Sequence, residues 1–113
     1  MADVKQNESA VTSRKYAAFT HSFVDSWAGE NAEDGKTVTL TFRFSKPTKI
    51  QMQRLQDKAV KNSSQASRNL LLDIIHPDDK ERFVECAEEY PGITASFSTA
   101  ILKGVGLSAD LGN

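Results

Sequence analysis

Hydrophobic and polar residues alternate without a break from Thr37 to Ser45: Val38, Leu40, Phe42 and Phe44 fall on one side, Thr39, Thr41, Arg43 and Ser45 on the other. A period of two is the mark of a half-buried strand, and the segment 37–45 is expected to be one. Its backbone donors and acceptors need a partner. The preceding stretch, Tyr16 to Trp27, gives a divided signal. Tyr16, Phe19, Phe23 and Trp27 recur at helical spacing, yet Thr20, His21, Ser22, Phe23, Val24, Asp25 and Ser26 are poor helix formers. Reading about 20–27 as a strand supplies an antiparallel partner across the Gly29 to Gly35 loop, whose Gly, Asn and Asp residues suit a turn. The competing reading makes Tyr16 to Trp27 helical and takes the partner strand from another copy. A short helical turn around 12–18 is compatible with the hairpin.

Beyond Pro47 the period lengthens to that of helices. Thr48 is placed to cap a helix over 48–61, with Met52, Leu55, Ala59 and Val60 as its apolar stripe. Asn62-Ser63-Ser64 breaks and recaps the chain, and Ala66, Leu70, Leu71, Ile74 and Ile75 give the helix 64–75 a wide apolar face. His76 precedes Pro77 and is biased away from helical dihedrals. Pro77 with Asp78 and Asp79 then opens a helix over 77–89, with Phe83, Val84 and Ala87 inward and Tyr90 at its end. Pro91-Gly92 closes that helix, and Thr94 is the expected cap of the last one, 94–104, where Phe97, Ala100 and Ile101 point inward. The predicted fold is α+β, mainly α: an N-terminal β-hairpin followed by about four short helices. Residues 1–12 read as a mobile N-terminus, 13–106 as a single domain and 107–113 as a tail.

Composition narrows the function classes. The chain has 113 residues, 39% hydrophobic and 26% charged, and a net charge of −1, so nothing pulls it globally toward nucleic acid or an anionic membrane. No apolar run approaches the ~20 residues that span a bilayer, and Met1 to Ala10 is polar, unlike a secretion signal; a cytoplasmic protein is expected. The single cysteine, Cys86, rules out an internal disulfide. Charge is uneven along the chain. From Lys46 to Asn62 five basic residues (Lys46, Lys49, Arg54, Lys58, Lys61) stand against Asp57, a net +4. From His76 to Pro91 six acidic residues (Asp78, Asp79, Glu81, Glu85, Glu88, Glu89) stand against Lys80 and Arg82, a net −4. Each segment is either the solvated face of its helix, exchanging weak surface ion pairs, or one half of a contact between copies.

No catalytic constellation is present. His76 lies at a helix junction where capping explains it, His21 lies in the divided segment, and Cys86 has no neighbouring His or basic pair to activate it. The acidic first turn at 78–81 is accounted for by the helix dipole, with no loop to complete a metal shell. Lys103-Gly104-Val105-Gly106 has neither the strand nor the helix of a phosphate loop. Neither metal nor cofactor is expected. The tight pair 64–75 and 77–89 invites comparison with a helix-turn-helix, but its second helix carries net −4, which phosphates repel.

The order of alternating strand, Phe44 to Thr48 (Phe-Ser-Lys-Pro-Thr), basic helix, Leu-rich helix, acidic helix, Tyr90-Pro91-Gly92 and a last helix ending in Gly resembles the small bacteriophage tail assembly chaperones. The resemblance spans about residues 36–106. It implies a non-enzymatic, self-associating protein that binds the tape measure protein, shields its apolar surface and assists delivery of tail tube protein in the host cell. The competing reading is a generic phage or bacterial interaction domain, in one form a nucleic-acid accessory factor bound through the basic helix. Under the first reading Arg54, Lys58 and Lys61 on one copy are expected to meet Asp78, Glu81, Glu85 and Glu88 on the next, with Phe97 and Ile101 as candidate apolar contacts.

Overall fold

A computed structural model describes residues 15–106. Two ten-residue strands, β1 (Tyr16–Asp25) and β2 (Lys36–Ser45), form an antiparallel hairpin, and four helices follow: α1 (Lys49–Ala59), α2 (Ser63–Ile74), α3 (Pro77–Glu89) and α4 (Ile93–Gly104). The expected α+β, mainly α architecture is the one observed. The strands pair without a bulge from Tyr16·Ser45 to Asp25·Lys36. The mobile N-terminus expected at 1–12 and the tail expected at 107–113 lie outside the described residues, as do the first three positions of the short helical turn expected around 12–18; of its described residues, 15–18, Tyr16 to Ala18 are strand.

The first strand begins about four residues earlier than expected and stops at Asp25, so the helical reading of Tyr16 to Trp27 fails. Phe19 and Phe23 are four apart and satisfy both periods. What decides between them is pairing: Phe19, His21 and Phe23 sit opposite Phe42, Leu40 and Val38 on the face turned toward the helices. Trp27 drops out of the ladder because Asp25 Oδ1 accepts its backbone N–H at 2.9 Å, turning the chain into the loop. A single 3-10 turn, Ala32–Asp34, crosses that loop, and a Cβ at Gly29 would overlap the Asp34 carbonyl, so only glycine fits there.

Each helix starts at a local signal. Thr48 and Gln51 form a reciprocal capping box, Asn62 accepts from Gln65 N–H, and Pro77 opens α3 with His76 Nδ1 accepting from Asp78 N–H at 3.1 Å. Thr94 does not cap α4, which begins one residue earlier with Gly92 at the cap position, because Ile93 N–H is already held by the Tyr90 carbonyl. Val60, placed in the first helix's apolar stripe, lies past its end and is 87% exposed. Ser45 leaves the expected outer face and is buried, donating to the Ile74 carbonyl.

Phe42, Phe44, Phe83 and Phe97 meet at the centre, their ring centroids 5.2–6.3 Å apart and mostly edge to face. Leu70, Leu71, Ile74, Ile93 and Ile101 close around them. The hairpin thus lays one face on α2, α3 and α4, while α1 packs on α2 and buries no residue fully. No helix among the described residues is long and apolar enough to cross a membrane.

Candidate functional site

The ends of β1 and α3 converge on an aromatic hollow. The backbone turn at Asp25 aims its carboxylate in two directions: Oδ1 holds the Trp27 N–H, and Oδ2 accepts from the Tyr90 hydroxyl at 2.9 Å. That second bond ties the hairpin to the α3–α4 junction across 65 residues of sequence. Phe23 meets Tyr90 edge to face at 4.9 Å, and His21 stacks on Phe23 at 5.5 Å. Pro91, Gly92, Ile93 and Ser96 complete a cavity of about 500 Å3, with Glu89 at its margin and Trp27, 90% exposed, on its rim. Donation to the Asp25 carboxylate, together with burial, pushes the Tyr90 hydroxyl up from its ordinary pKa, so it stays protonated and keeps the tie. The hollow brings together rings, two carboxylates and an open indole, but no nucleophile held by a base.

The two sheet edges differ. At β2, Asp79 of α3 accepts the Arg43 backbone N–H at 2.8 Å and the guanidinium at 3.0 and 2.8 Å. The Arg43 carbonyl accepts from His76 N–H, Phe44 bridges to Ile75, and Arg82 donates to the Thr41 carbonyl while its guanidinium lies 4.2 Å from the Phe42 ring centre. The α2–α3 junction therefore closes that edge where it matters for the core. Asp79 is 6% exposed, and hydrogen bonding to Arg43 draws its carboxyl down to about 2 against the opposing effect of burial. Arg43, correspondingly, is raised. At β1 no described group bonds to the outer backbone between Tyr16 and Val24.

The charged residues singled out from the sequence lie on two separate helices. Arg54 and Lys58 are exposed on α1, where with Leu55, Leu72 and Asp73 they border a second hollow against α2, and Lys61 follows just past the helix. Asp78, Glu81, Glu85 and Glu88 are exposed on α3. Among the described residues no ion pair joins the two faces. Phe97 and Ile101, named as candidate apolar contacts, are 1% and 2% exposed and belong to the core; α4 turns them toward the hairpin and α2, which removes them from the surface. Sequence reasoning missed the hollow. Trp27 was legible as the one tryptophan, beside a Gly-rich loop, but its meeting with Tyr90 depends on a contact remote in sequence. Asp79 was read as a dipole residue alone, since nothing in the chain announces that Arg43 lies beside it.

A hairpin laid over four short helices, with an aromatic hollow where the hairpin meets the α3–α4 junction, makes a small α+β domain. The chain belongs to the family described as "Domain of unknown function (DUF6848)", whose model matches residues 28–112. Among solved structures it is similar to the uncharacterised protein rbstp2171 from Bacillus stearothermophilus, at 21% identity and a TM-score of 0.60, covering 96% of this chain and 93% of that one. The likeness extends the fold to that protein and no further. No curated protein matches the chain.

Proposed function

We propose that the protein is a phage tail assembly chaperone-like protein, acting without catalysis in the bacterial host cytoplasm, where it binds the tape measure protein and assists tail tube assembly. The observation that carries this reading is Trp27: a large apolar ring, almost wholly exposed, beside a preformed aromatic hollow. Isolated exposed apolar residues are ordinary, but an indole at the mouth of a hollow is a typical anchor for a partner's side chain. A tape measure protein is long and helical and offers apolar side chains at helical spacing, which an aromatic hollow can accept. The exposed basic face of α1 and acidic face of α3 add complementary surfaces through which neighbouring copies line up along such a partner.

The test co-expresses the full chain with a tape measure protein from the same genome. Because Trp27 is the only tryptophan, complex formation is expected to shift its emission to shorter wavelength, and Trp27→Ala is expected to weaken capture at least tenfold without loss of the fold. Absence of any complex at micromolar concentrations overturns the reading. A low-salt gel shift with DNA or RNA that is lost on Lys58→Glu would instead favour the accessory-factor alternative.

A further inference from the structure

We infer that β1 is an interface for a second copy of this chain, pairing antiparallel with its own counterpart about a two-fold axis at Thr20 to give a four-stranded sheet ordered β2-β1-β1-β2. The phase of the backbone comes first. Arg43 sends both its N–H, to Asp79, and its carbonyl, to His76, away from β1. Its cross-strand partner is Ala18, and in an antiparallel ladder two such facing residues both turn their backbone groups outward. By the same alternation Tyr16, Thr20, Ser22 and Val24 present theirs outward as well. The ladder has no bulge to twist this edge away, and Tyr16 to Val24 contains neither proline nor Lys, Arg, Asp or Glu. Among the described residues β1 thus carries neither proline, bulge nor mid-strand charge to blunt its edge, whereas β2 is closed by side chains and by the Ile75 bridge.

Charge selects the occupant and the register. The uncharged run is bracketed by Lys15 on one side and Asp25 on the other. Antiparallel pairing centred on Thr20 sets Lys15 of one copy opposite Asp25 of the other at both ends, with Tyr16 opposite Val24 and Ala18 opposite Ser22. Every outward-turned residue then meets an outward-turned residue, giving about ten backbone hydrogen bonds. Sliding by two residues sets Lys15 opposite Phe23 or Asp25 opposite Ala17, and the charge match is lost. The contact is self-complementary, as a two-fold interface must be. At the centre of the exposed face Ala18, Thr20 and Ser22 are small, and Thr20 and Ser22 already hydrogen-bond across the hairpin to Thr41 and Thr39. The inference does not rest on the tape measure reading, and its test needs only the purified full chain.

Sedimentation equilibrium of the full chain is expected to show a reversible dimer. Ala18→Lys combined with Ser22→Lys sets like charges opposite one another across the two-fold and should weaken the dimer about tenfold, whereas Ala18→Lys with Ser22→Glu sets opposite charges there and should restore it. Circular dichroism of each variant reports whether the fold is kept, the sites being exposed. Amide exchange supplies the second readout: protection at Ala18, Thr20, Ser22 and Val24 that rises with protein concentration supports the pairing. A strict monomer at several hundred micromolar overturns it, as does a dimer indifferent to both variant pairs. Protection of these amides in a monomer, independent of concentration, also overturns it, by showing that residues 1–14 of the same chain cover the edge.

Discussion

At the scale of single residues, one carboxylate carries more than its position in the sequence indicates. Asp79 joins a helix N-terminus to a strand edge by accepting three hydrogen bonds from one residue, Arg43. Charge-assisted bonds of this bidentate kind are the stronger ones. Asp79→Asn is expected to cost about 2 kcal/mol in chemical denaturation at pH 7, within the range for hydrogen bonds to charged groups. The sign of its pH dependence follows from the depressed pKa. The contribution is complete above the ordinary carboxylate range and is lost as pH falls through about 2. The stability gap between the native chain and Asp79→Asn should therefore be constant from pH 7 to about 5 and narrow below pH 4. A gap unchanged at pH 2.5 would mean that the Arg43 bonds are not its source. Asp79 could be assigned from sequence to the first turn of a helix, whereas its partner stands on a strand 36 residues away and pattern gives no route to it.

Among the elements, α1 is the most independent. Its start is written in four residues, Thr48 to Gln51, and both halves of the capping box form. Its main tertiary support is α2, and none of its residues is fully buried. Amide exchange across Lys49–Ala59 should consequently be faster than across Ile93–Gly104 and occur by local opening. Thr48→Ala, expected to cost about 1 kcal/mol, should speed exchange in α1 without a matching change in α4. The hairpin presents the opposite case. Phe19 and Phe23 fit a helix as well as a strand, and β1 became legible only through the unmistakable alternation of β2 opposite it. Gly29, read as a loop residue, also has a steric reason: Gly29→Ala should destabilise the hairpin, since the added methyl meets the Asp34 backbone.

For the whole molecule, the core and the charge pattern make separate predictions. Phe97 lies within 5.4–6.3 Å of Phe42, Phe44 and Phe83, so Phe97→Ala should lose about 3–5 kcal/mol of stability rather than only weaken binding to a partner. The opposed faces of α1 and α3 predict a different outcome. Lys58→Glu and Glu85→Lys should each reduce assembly along a tape measure segment, and the double reversal should recover part of it, as followed by light scattering. Equal loss in all three variants would sink the contact. Pairing through β1 closes at two copies, while an α1-to-α3 contact is heterologous and can extend; salt should weaken the second far more than the first.

The sequence by itself determined the elements, because period, caps and turn residues act over a few neighbouring positions. The strand 37–45, the helix starts at Thr48, Asn62 and Pro77 and the net charge of two segments all follow from such local signals. Tertiary structure alone decided what lies next to what. It buried Phe97 and Ile101, left Trp27 exposed beside a hollow, tied Tyr90 to Asp25, and closed the β2 edge with Asp79. These outcomes depend on the packing of four helices against one face of a hairpin, a sum of weak contacts between residues far apart in the chain, and no short pattern records them.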